Sequence, residues 1–282
     1  MNERAISFGE SGALFGIIGS PEIPDPQRPA VLIPNTGVIH RVGPSRMHVE
    51  LARALASAGL VSLRLDNAGL GDSEIVPGRS DADSTLDLCA AMDALDARNM
   101  STGIIIIGSH SGAYDAHEAA RVDPRLIGAV FLDGYIPSTP RAWLNRTMAR
   151  LTERSRHLPP EPLGISLTPK SGSALHDVLP SEIHYYDAPS HSRMEADLVE
   201  FIRRQLSLLY VYTGDVEHQY TYAAQLIDAF PILRGYRHLT IRQIPEADHH
   251  FIRRATREAL IDMLVDWVLG VAAQRQANPE TR

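Results

Sequence analysis

The chain has 282 residues, 44% of them apolar and 22% charged, with a net charge of −7; that is enough apolar content for one large core or two small ones. The acidic balance leaves no basic stripe to track a phosphate backbone, which argues against nucleic acid as a partner. No run approaches the roughly 18 apolar residues of a membrane span, and "MNERAISFGESGALFGIIG" lacks an export signal's continuous apolar region, so the expected location is the cytoplasm.

Short β-prone runs on either side of "GESG", within residues 5 to 19, predict a hairpin at a sheet edge. After the proline-rich connector "SPEIPDPQRP" come the strand "AVLIP" (30–34), a helix in "SRMHVELARALASAG" stopped by Gly59, and the strand "LVSLRLD" (60–66). The cycle repeats with a helix in "ADSTLDLCAAMDALDARN", the strand "GIIII", a helix from Gly112 to about Arg121 and the strand "LIGAVFLD" (126–133). Cys89, the single cysteine, reads as helix core, since one thiol can form neither an internal disulfide nor a zinc cluster. Strands apolar on both faces, alternating with helices, predict an α/β fold with a mostly parallel sheet covered on both sides. Between 134 and 206 the alternation breaks into helical runs around a proline- and serine-rich stretch, which reads as a lid. Residues 1–133 and 207–282 are then the core. The core resumes with "SLLYVYTGD", a helix near 221–229, "LTIRQIP" and the closing helix "REALIDMLVDWVLGVAAQ".

Chemistry concentrates where "IIIIGSHSGAYDA" (104–116) turns polar. A nucleophile elbow places a serine on a strained strand-to-helix turn, with small residues two positions before and after it. Ser109 would put Ile107 in the crowded position, whereas Ser111 is flanked by Ser109 and Ala113. Ser111 is therefore the expected nucleophile, and His110 reads as lining. Such a hydroxyl needs a histidine to take its proton and a carboxylate to orient that histidine, in the chain order Ser, acid, His. "ADHHF" supplies His249, favoured over His250, and "TGDVEH" supplies Asp215, with Glu217 close behind and Asp133 as a further alternative. The amides of Gly112 and of Val38, or of Thr36, would hold the oxyanion. His40 and Tyr114 are placed at the mouth, and Trp143, Met148, Tyr185 and Tyr186 are candidate pocket walls in the lid.

"NTGVIHRVGPSRMHVELARALASAGLVSLRLDNAGLGDSE" together with "GSHSGAYDA" resembles the α/β-hydrolase superfamily, in the branch of serine aminopeptidase-like and exosortase-associated hydrolases. The resemblance is strongest over residues 30–120 and returns at "YTGD" and "ADHHF"; it matches Gly108 and Ser111 to the branch's G-x-C-S-G-A elbow, with His110 in place of the cysteine. Thr36-Gly37 stands where the branch has His-Gly, and "RLDNAGLGDS" corresponds to a structural loop beside the active site. The resemblance implies an α/β-hydrolase fold with a small lid insertion.

The combined expectation is a serine hydrolase that cleaves an ester or thioester, or an amide, of a small acyl substrate, with no metal or organic cofactor. The alternatives are an acyltransferase using the same residues and a ligand-binding homologue without turnover. A homodimer is compatible with the sequence.

Overall fold

The structure, a computed structural model, describes residues 1–76, 78, 84–156, 189–216 and 219–277. Eight strands form one sheet in the order β1-β2-β4-β3-β5-β6-β7-β8: β1 (Asn2–Phe8), β2 (Leu14–Ser20), β3 (Ala30–Ile33), β4 (Val61–Asp66), β5 (Ile104–Ser109), β6 (Leu126–Leu132), β7 (Ser207–Thr213) and β8 (Leu239–Ile244). β1 and β2 form the edge hairpin and run antiparallel, while β3 to β8 are mutually parallel.

The four isoleucines of β5 show how the layers arise. Successive side chains of a strand point to opposite faces. Ile104 and Ile106 accordingly enter one apolar cluster, and Ile105 and Ile107 enter another. Helices α2 (Ser84–Asp96), α3 (Ser111–Val122) and α5 (His191–Arg203) close the first cluster, and α1 (Met47–Ser57) and α7 (Arg254–Ala277) close the second. Each isoleucine is at most 3% exposed, and burying such a side chain stabilises the fold by about 1.5–3 kcal/mol.

Two further helices complete the described chain, α4 (Pro140–Arg156) and α6 (Gln225–Ala229). Of the segment 134–206 expected as a lid, α4 and α5 lie within the described residues. Met194, Leu198 and Phe201 of α5 are buried in the same core as Phe131 and Tyr210, so α5 is a core helix. It is bound to α3 through His117 Nε2 and Asp197 Oδ2 at 3.1 Å and through the Arg193–Glu118 ion pair. Trp143 and Met148 lie exposed on α4, while Tyr185 and Tyr186 fall outside the described residues.

Candidate active site

The turn between β5 and α3 carries a correction to the sequence reading. Its apex is His110, with φ 54° and ψ −117°, and Ser111 is the first residue of the helix. A side chain in that left-handed region costs on the order of 1–3 kcal/mol and persists only where the surroundings impose it. The imposing contact is Gly108 against Gly112: a Cβ on Gly108 would lie 2.0 Å from the Gly112 carbonyl oxygen. The small residues flanking the apex are therefore Gly108 and Gly112, so the motif is G-S-H-S-G centred on histidine. The spacing was present in the sequence, but a search for a hydroxyl at the centre passes over it.

The Ser111 hydroxyl accepts a hydrogen bond from the Gly37 amide at 2.7 Å, and among the described residues its hydrogen bonds do not include His249. The amide that follows the apex residue is that of Ser111. Gly112 instead packs against the loop after β3, where a Cβ on it would sit 2.4 Å from the Asn35 carbonyl oxygen. The Ser111 amide opens α3 and so has no carbonyl of its own helix to bond. Val38 stands in the turn closed by Ile39 N–H on the Thr36 carbonyl at 3.0 Å.

The loop after β8 brings His249 to the turn after β7. Asp215 Oδ2 accepts from the His249 backbone amide at 3.1 Å and from its Nδ1 at 3.2 Å. With Nδ1 protonated towards the carboxylate, the lone pair of His249 lies on Nε2. His110 Nε2 lies 2.8 Å from the His249 carbonyl oxygen. A carbonyl only accepts, so that nitrogen is the donor and the free lone pair of His110 is on Nδ1. The two rings meet edge to face at 5.0 Å, and the His250 ring lies tilted against His249 with centroids 4.0 Å apart. Burial, aided by the neighbouring imidazoles against the pull of the His249 carbonyl, lowers the His110 pKa to about 4. The ring is therefore neutral over the ordinary working range. Nitrogen-detected imidazole spectra should show the His110 signals unmoved between pH 5 and 8, with a midpoint near 4.

Asp133, at the end of β6, is spent on Thr213, whose amide and hydroxyl it accepts at 2.8 Å each, and burial raises its pKa against those bonds. Glu217 lies outside the described residues. His40 is exposed and its Nδ1 accepts from the Val42 amide at 3.1 Å. Tyr114 has Glu118, Arg193 and Asp115 among its charged neighbours, and burial raises its pKa.

Two networks that the sequence reading missed support the loop after β3. Thr36 Oγ1 lies 2.5 Å from Ser109 Oγ and 3.3 Å from His48 Nε2, which ties that loop to the strand under the apex. His48 is buried, and desolvation with Arg64 nearby pushes its pKa down to about 3. In the second network, Asp66 Oδ1 accepts from Asn35 Nδ2 at 3.1 Å and from the Arg41 amide at 2.7 Å, while its other oxygen takes the Arg41 guanidinium and the Asp72 amide. Burial pushes the Asp66 carboxyl up, and these hydrogen bonds outweigh it, leaving the pKa below its usual value. A depressed carboxylate contributes stability that is present above its unfolded pKa and is lost as pH falls through the lower folded value. Asp66→Asn should therefore cost about 2–4 kcal/mol at pH 7 and flatten the acid limb below about pH 4, read by urea denaturation across pH.

No family model matches the chain, and no curated protein matches it. Solved structures do. A proline iminopeptidase from Mycobacterium smegmatis superposes with a TM-score of 0.58 at 15% identity, covering 97% of this chain and 99% of that one. An esterase from Pyrococcus furiosus gives 0.56 at 14%, covering 95% and 92%. The mouse α/β-hydrolase domain-containing protein 10 gives 0.55 at 13%, covering 96% and 100%. The chain thus has the α/β-hydrolase fold. Within it, a histidine occupies the turn where the fold's elbow motif carries serine.

Proposed function

We propose that the protein is a hydrolase of activated acyl compounds, thioesters above all, in which His110 takes the place of the serine nucleophile. The observation that carries this reading is a neutral imidazole on the strained apex, beside a His249–Asp215 pair. In the first step His110 Nδ1 attacks the substrate carbonyl. Its electron pair forms the C–N bond, and the displaced carbonyl pair moves onto an oxygen held by the Ser111 and Val38 amides. Collapse expels the thiolate and leaves an acyl-imidazolium. His249 Nε2 then takes a proton from water, the hydroxide adds to the acyl carbon, and the C–N bond breaks to return the pair to Nδ1. The proton held by His249 finally passes to the thiolate.

Leaving-group chemistry sets the substrate class. From the tetrahedral adduct an imidazolium departs far more readily than an alkoxide, so the adduct goes forward only when the other group leaves easily. A thiol with a pKa of about 8.5, or a phenol of about 10, meets that condition. A panel of acyl-thioesters, p-nitrophenyl esters and simple alkyl esters tests the proposal. Turnover of the first two with alkyl esters at least about 100-fold slower is the expected result; equal rates on alkyl esters would count against histidine. An acyltransferase would share the covalent step, and partitioning of the acyl group to an added amine or alcohol would reveal it. Binding without turnover is the second reading, favoured by the missing hydroxyl at the apex; binding of a thioester with no product release would establish it.

A further inference from the structure

We propose that helix α4 docks the protein onto an anionic lipid surface, laying Trp143, Leu144, Met148 and Leu151 against the bilayer. A helix of a globular protein ordinarily turns its apolar stripe to the core and its polar face to water. In α4 that order is reversed. The four apolar side chains are each 52–62% exposed, and their spacing of i, i+1, i+5 and i+8 puts them on one stripe of the helix. The groups that hold α4 to the body are small or polar. Ala142 is fully buried, and Thr139 Oγ1, just ahead of the helix, lies 2.8 Å from the Tyr222 hydroxyl. Asn145 Nδ2 donates to Thr221 Oγ1 at 3.4 Å, and the Arg141 guanidinium lies 4.4 Å from the centre of the Tyr222 ring.

The helix sits at the catalytic end of the sheet. It follows β6, and its partners Thr221 and Tyr222 follow β7, so it lies beyond the C-terminal ends of the parallel strands, where the elbow also lies. Tyr135, ahead of α4, and Ile252, in the loop after β8, are further exposed apolar side chains at that end. Apolar surface gathered in this way marks a contact with another body.

Charge identifies the body. The helix Pro140–Arg156 contains five arginines, at 141, 146, 150, 154 and 156, against a single acid, Glu153, in a chain whose net charge is −7. Arginines on a helix that shows tryptophan and leucine to solvent suit the interface of an anionic membrane: the headgroup phosphates meet the guanidinium groups, the apolar stripe enters the acyl boundary, and tryptophan favours that depth. A second copy of this chain fits less well, because a two-fold contact through α4 would set arginines against arginines. Docking does not require the acyl chemistry proposed for His110, and it is measured without turnover.

Flotation of the full chain with vesicles of phosphatidylcholine, alone or with about one-third phosphatidylglycerol, tests the proposal. Binding to the anionic vesicles at least about tenfold tighter than to the neutral ones, and weakened by added salt, is the expected result. The emission of Trp143 should shift to the blue on binding, while Trp267, the other tryptophan, is already packed against the core. Leu144→Glu should weaken binding at least about tenfold, whereas Ile23→Glu, an exposed apolar residue at the opposite end of the sheet, should leave it within about twofold. No binding to either vesicle, equal binding to both, or equal weakening by the two variants would overturn the proposal. So would a dimer in lipid-free solution that Leu144→Glu dissociates, since a second copy would then cover the stripe, or preference for a polyglutamate peptide over the vesicles, which would make the partner an acidic protein.

Discussion

His110→Ala should lower kcat/KM for acyl-thioesters by about 10³-fold or more, because it removes the atom to which the acyl group is bound and not merely a contact to substrate. The loss should fall on kcat, with KM changed little, since the Ser111 and Val38 amides and the pocket remain. Intact-protein mass spectrometry after rapid acid quench provides an independent readout. The wild type should carry the acyl mass on a peptide containing His110, and His249→Ala should accumulate it, because hydrolysis of the adduct then lacks its base. His110→Ser is the informative companion. It places a hydroxyl on the apex, but the His110 Nε2 bond to the His249 carbonyl disappears with the ring. Alkyl esters should then gain relative to thioesters, since an alkoxide-type nucleophile does not share the imidazole's readiness to depart. Full activity in His110→Ala would end the covalent reading while leaving general-base hydrolysis by the His249–Asp215 pair.

Gly108→Ala should destabilise the fold by about 3–5 kcal/mol, a large share of the 5–15 kcal/mol typical of a domain. The added methyl would meet the Gly112 carbonyl oxygen at 2.0 Å, its carbon at 2.5 Å and the Ala113 nitrogen at 2.8 Å. All three are backbone atoms in the first turn of α3, so no rotamer change relieves the clash and the helix itself must move. Gly270, within α7, is the matched control: nothing lies within 4 Å of its added Cβ, and Gly270→Ala should gain about 0.5–1 kcal/mol. Urea denaturation of the two variants checks both signs. A Gly108→Ala protein as stable as the parent would mean that the apex conformation of His110 is not enforced by this contact.

The sheet, its hairpin edge and the helices were legible in the chain because burial writes itself locally. Isoleucines 104–107 had to face two layers, and the apolar spacing in "SRMHVELARALASAG" is that of a helix with one buried face. The place of α5 was less legible. Its helix was expected, but its burial in one cluster with Phe131 and Tyr210 depends on strands far away in the chain. The elbow was legible as a turn and misread by one residue. Size constraints two positions either side fit both Ser111 and His110, and the preference for a hydroxyl chose wrongly for the apex. What decides is which pair of small residues touches: Gly108 beneath Gly112.

Local sequence therefore determined the layered architecture and the short list of reactive groups, because periodicity, turn residues and the polar ends of apolar strands are properties of a few neighbouring residues. Only the tertiary structure decided the site. Asp215 meets His249 because β7 and β8 pair in parallel from Leu208 with Leu239 to Thr213 with Ile244, which brings their following loops side by side across 34 residues of chain. Asp133, one strand earlier, is held by Thr213 instead. Hydrogen-bond geometry of this kind falls off within an ångström, whereas a motif in the chain locates a carboxylate only to within a loop.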